Sequence, residues 1–96
     1  MDNIKKETIE ISVNALKLSA YIVPDDSAEF FPDHDTVKLM LEASYCDLKS
    51  SGARLTSSNS YAYHILDSIA WVFTNDSHPN MASWFFLARD KIKKTT

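Results

Sequence analysis

Gly52 is the only glycine in this chain of 96 residues. Sandwiches and barrels turn tightly and often, and those turns need residues that tolerate positive φ. One glycine cannot serve many such turns, so helices joined by few connections are expected to dominate. Hydrophobic residues make up 45% of the chain and charged residues 24%, a balance that supports a packed core. The length suits one small domain spanning residues 1–96.

The N-terminal stretch is the exception to a helical reading. In "TIEISVN", Ile9, Ile11 and Val13 alternate with Thr8, Glu10, Ser12 and Asn14. "LKLSAYI" alternates with the opposite parity, through Leu16, Leu18, Ala20 and Ile22. A two-residue turn at Asn14–Ala15 explains the flip and sets Val13 opposite Leu16 and Ile11 opposite Leu18 on one face. β-branched residues favour strands. Ala15 fits such a turn poorly, because a type I′ turn asks for positive φ at both central positions. The rival is one amphipathic helix with a stripe of Ile4, Thr8, Ile11, Ala15, Leu18 and Ile22.

The rest of the chain has helical periodicity. Helices are expected at about 35–50, 60–74 and 79–94, the middle one central because its apolar residues cover a broad arc. Val37, Leu41 and Leu48 mark the buried stripe of the first, with Met40 and Tyr45 beside it. Met81, Phe85, Ala88 and Ile92 mark that of the last. Gly52 is placed to end the first helix, and Pro79 to open the last. The expected fold is therefore α+β, an N-terminal β-hairpin at about 8–23 packed on three α-helices. The alternative is an all-α four-helix bundle.

Between the hairpin and the first helix runs the acidic loop of residues 24–34. Its sequence with the next residue, "PDDSAEFFPDHD", holds five carboxylates around two adjacent phenylalanines. Calcium loops need oxygen ligands at fixed spacing and a glycine at the sharp turn, and neither is present. Asp33 and Asp35 suit a helix N-terminus. Asp25, Asp26 and Glu29, leading into Phe30 and Phe31, are left without such a role. Exposed aromatics ringed by charge form a partner-binding pattern, whereas buried ones would simply extend the core. The wider charge distribution points the same way. Residues 1–47 carry ten acids against four lysines, a net of −6, and residues 48–96 a net of +3.

Chemistry is harder to find. His34, His64 and His78 form no H-x-x-x-H pair, and Cys46 stands alone, so no metal or cofactor is expected. Ser60, His64 and Asp67 share a helix face, but one helix projects them outward in parallel, with no nucleophile elbow to accompany them. No phosphate-binding loop or dinucleotide fingerprint occurs. The chain is not expected to be an enzyme. An enzyme would need a cleft that gathers a histidine with a carboxylate.

"WFFLARDKIKK" raises two further readings. Trp84, Phe85, Phe86 and Leu87 surround one helical turn, and a terminal helix can rarely bury all four. Trp84, Phe86 and Trp71 are therefore the candidates for self-association into a homodimer. Arg89, Lys91, Lys93 and Lys94 could meet nucleic-acid phosphates, and the last two helices could mimic a helix-turn-helix. A recognition helix, however, needs polar residues at its start, and this one begins with Pro79, Asn80, Met81 and Ala82.

The first fourteen residues lack the apolar run of about 7–15 residues that a signal peptide needs. No apolar run approaches the roughly 18 residues of a membrane span. With the lone cysteine, these features suggest a cytoplasmic protein. The expected role is a small non-catalytic interaction module, acting as inhibitor, adaptor or immunity-type factor on a protein partner through Asp25, Asp26, Glu29, Phe30 and Phe31. One concrete version is a phage- or plasmid-borne inhibitor of a nucleic-acid enzyme. The alternative is a nucleic-acid-binding regulator using the basic C-terminal helix.

Overall fold

A computed structural model describes residues 3–19, 34–52, 55 and 57–95, apart from the side chains of His34 and of residues 93–95. The described residues form four helices and no strand: α1 (Asn3–Ser19), α2 (His34–Ser50), α3 (Ser58–Asn75) and α4 (Pro79–Thr95). The fold is all-α. The expected β-hairpin is not formed, because residues 3–19 are one continuous helix. No described helix is long and apolar enough to cross a membrane.

The reason lies in which residues α1 buries. Its inner face is Thr8, Ile9, Ser12, Ala15, Leu16 and Ser19, a run with helical spacing. Three of the six are hydroxyl residues that an apolar alternation counts as solvent-facing. Ser12 makes its burial tolerable by donating from Oγ to the Thr8 carbonyl at 2.8 Å. Small side chains here also let α1 approach its neighbours closely. Ala15, the poor turn residue of a hairpin, is buried in the helix instead. The rival stripe also misplaces residues, for Leu18 is 66% exposed and Ile4 is exposed too.

α3 is the hub, packing against α4, α1 and α2. Its buried face comprises Tyr61, Ala62, Ile65, Leu66, Ile69 and Ala70. Met81, Phe85, Ala88 and Ile92 of α4 meet it, with Leu16 of α1 and Leu41 and Tyr45 of α2 completing the same cluster. Tyr45 and Tyr61 pack edge to face, with centroids 5.2 Å apart. The alanines of α3 and α4 let those two helices sit close. α2 packs on α3 and α1 at the side of this core.

The helix ends follow their local chemistry. Ser57 caps α3: it has extended backbone and accepts from the Ser60 N–H at 3.1 Å. Gly52 follows α2 at φ 82°, with its N–H on the Lys49 carbonyl. At the end of α3, the His78 N–H reaches the Phe73 carbonyl and the Ser77 N–H reaches that of Thr74. These are the two bonds of a Schellman motif, but Ser77 rather than a glycine occupies its left-handed position, at φ 64°. That tight turn sends α4 back along α3, with His78 supplying the first carbonyl of the new helix to Ala82.

Candidate functional site

The acidic segment leads from α1 into α2. Asp25, Asp26, Glu29, Phe30 and Phe31, the predicted partner-binding residues, lie outside the described residues. So does the start of the predicted loop at residue 24.

The predicted self-association residues are described, and they separate. Trp84 is half-buried: its indole N–H donates to the Leu16 carbonyl at 2.7 Å, and its ring packs on Phe85 at 5.4 Å. It is a strut inside the chain. Trp71 is 53% exposed, and its neighbour Val72 is 56% exposed. Phe86 lies half-buried across the α3–α4 seam from Trp71, with centroids 5.2 Å apart and the rings nearly perpendicular. Trp71 and Phe86 thus form one outward-facing pair held by two helices.

Arg89 fixes the far end of that pair. Its guanidinium lies 4.8 Å from the Phe86 centroid and 5.7 Å from that of Tyr63. It donates to Asp67 at 2.7 Å and to Asp90 at 2.8 Å. Burial lowers the pKa of Arg89, but the bonds to Asp90 and then Asp67 outweigh it and hold the group above the usual arginine value. Two carboxylates therefore already neutralise this cation. Asp67 and Arg89 sit on different helices, and sequence spacing gives no hint of their pairing.

Two depressions lie along α3, and the first of them includes Phe86. A groove of about 500 Å³ at the α3–α4 turn is lined by Thr74, Ser77, Pro79, Ala82, Ser83 and Phe86. A cleft of about 340 Å³ between α2 and α3 carries Ser44, Asp47, His64 and Ser68 above Leu48 and Ile65. Here a histidine and a carboxylate share one surface, with no hydrogen bond between them. His64 is exposed and packs edge-on against Tyr63. Its helix neighbours are engaged elsewhere, Asp67 by Arg89 and Ser60 by the Ser57 hydroxyl. The residues Ser60, His64 and Asp67 do not assemble into a triad.

Of the remaining candidates, His78 stands before α4 with its ring 6.2 Å from that of Phe73, and Cys46 is an exposed free thiol. Among the described residues, no group of three or more His, Cys, Asp or Glu is placed to hold a metal ion. At the start of α4, Met81 and Ala82 are buried and unable to reach a base edge.

The described residues define a small all-α protein with an outward aromatic pair between α3 and α4. No protein-family model matches the chain, and no curated protein or solved structure is significantly similar to it.

Proposed function

We propose that the protein is a small, non-catalytic, cytoplasmic interaction module of the inhibitor or adaptor type. It binds a basic surface on a protein partner through the acidic, Phe-bearing connection between α1 and α2. The observation that carries this reading is the concentration of five carboxylates and two phenylalanines in residues 24–35. The net charge of −6 on residues 1–47 supports it. Negative charge there would steer a basic partner, and the phenylalanines would supply the buried anchors of the contact. A partner whose basic site otherwise takes nucleic acid is one concrete case. The lone cysteine, Cys46, suits a reducing compartment.

Direct nucleic-acid binding is the competing proposal, and it rests on the basic end of α4. The pairing of Arg89 with Asp67 and Asp90 removes one of the four cations it would use. A gel shift at low salt with pooled DNA and RNA separates the two readings, since only the competitor predicts retardation.

The test of the main reading begins with affinity capture from the native host and purification of the captured protein. Its affinity is then measured for the wild type and for Asp25→Asn, Asp26→Asn and Glu29→Gln combined. Wild-type binding should weaken between about 50 and 500 mM salt, and the triple variant should bind roughly tenfold more weakly at the low end. Equal affinity of the two chains at low salt rejects the acidic connection as the binding element.

A further inference from the structure

We propose that the Trp71–Phe86 face is where a second copy of this chain docks, each Trp71 seating in the other copy's α3–α4 groove. The inference is independent of the acidic connection and rests on charge and shape. In a chain of which 24% is charged, residues 68–75 of α3 contain no charged side chain at all. The groove lining is equally free of charge: Thr74, Ser77, Pro79, Ala82, Ser83 and Phe86. A two-fold contact sets each surface against itself, so any charge at its centre meets the same charge on the partner. An uncharged groove lining meets that condition, and the exposed Asp76, between Thr74 and Ser77 in sequence, is not part of that lining.

Shape agrees with charge. Phe86 both lines the groove and holds Trp71, so the exposed indole stands at the groove's own lip. A knob beside a hole on one surface is what a reciprocal, self-complementary contact needs. The hole, at about 500 Å³, has room for the indole. Asp67, Arg89 and Asp90 lie behind Phe86 as a paired, polar rim. Among the described residues, the exposed large apolar side chains beyond Trp71 and Val72 are Ile4 and Leu18 of α1 and Leu39 of α2; they lie on other helices, and none lines this groove. Scattered single residues of that kind are ordinary surface.

Sedimentation velocity of the full chain tests the proposal between about 1 and 300 μM, the range in which a small interface of about 1,000 Å² associates. The expected result is a concentration-dependent shift from monomer to dimer that is as strong at high salt as at low salt. Trp71→Asp, at an exposed position, should hold the chain monomeric with an unchanged far-ultraviolet circular dichroism spectrum. Ser83→Arg, which puts a bulky charge into the groove while leaving Trp71 in place, should do the same. A wild-type chain that stays monomeric throughout overturns the proposal. So does a dimer that survives both substitutions, or one that dissociates as salt rises. None of these outcomes bears on the acidic connection, whose binding is expected to weaken with salt.

Discussion

The indole N–H of Trp84 in α4 donates to the main-chain carbonyl of Leu16 in α1 at 2.7 Å. Leu16 lies near the C-terminal end of the described α1 and is itself buried. The bond joins residues 68 positions apart and fixes α1 against α4. It also decides which aromatic of "WFF" faces out. With Trp84 turned toward α1 and Phe85 fully buried, Phe86 is the ring left for Trp71.

Replacing Trp84 with Phe keeps a ring but removes the donor, leaving the Leu16 carbonyl without this partner. The expected cost is about 1–2 kcal/mol, read as a lower urea midpoint at an unchanged slope. Amide hydrogen exchange should quicken most in the last turn of α1. A variant as stable as the wild type would show that the bond holds nothing together.

Thr8 makes the opposite case. Its hydroxyl is fully buried and has no hydrogen-bond partner. Desolvating an unpaired hydroxyl is unfavourable, so Thr8→Val, which keeps the shape and loses the polar atom, should stabilise the protein by about 1 kcal/mol. For a domain of this size, that raises the midpoint of thermal unfolding by about 4–8 °C. A lower midpoint would mean that the hydroxyl is satisfied and that α1 packs differently.

These buried hydroxyls explain why the N-terminal element was the least legible part of the sequence. The strand reading sorts residues by polarity and sends Thr8, Ser12 and Ser19 to the wrong side, while the rival helix stripe keeps Thr8 but leaves out Ser12 and Ser19. Their inner position depends on close packing against α3 and α4, a tertiary fact with no local signature. The last three helices carry local signals that α1 lacks. Pro79 opens α4, Gly52 follows α2, and the polar run Ser57, Ser58, Asn59 and Ser60 marks the start of α3, with Ser57 as its cap. The aromatic cluster was legible as a cluster. Its division into an internal Trp84 and an outward Trp71–Phe86 pair was not, because that division depends on where α1 lies. Nor was the Asp67–Arg89 pair, which forms across two helices.

Ser77 sits at φ 64°, in the left-handed region where an L-residue with a side chain is strained by roughly 1 kcal/mol or more. Ser77→Gly should relieve that strain at the α3–α4 turn and stabilise the chain by about 1 kcal/mol. The comparison is made in urea at a fixed low protein concentration, so that association does not enter. The converse holds after α2: Gly52 at φ 82° has nothing within 4 Å of where a Cβ would stand. Gly52→Ala should therefore lose stability through backbone strain alone, by about 1 kcal/mol. A stabilising Gly52→Ala, or a neutral Ser77→Gly, would mean that these turns do not hold their left-handed geometry in solution.

The claim that most needs testing is that binding runs through the acidic connection and not through the helical body. Amide chemical-shift mapping of the labelled chain, titrated with the partner captured from the host, addresses it directly. Residues 24–35 should show the largest shifts, with α2–α3 cleft residues such as His64 and Ser68 unmoved. Shifts confined to that cleft, or to the basic end of α4, with residues 24–35 unchanged, would contradict the account.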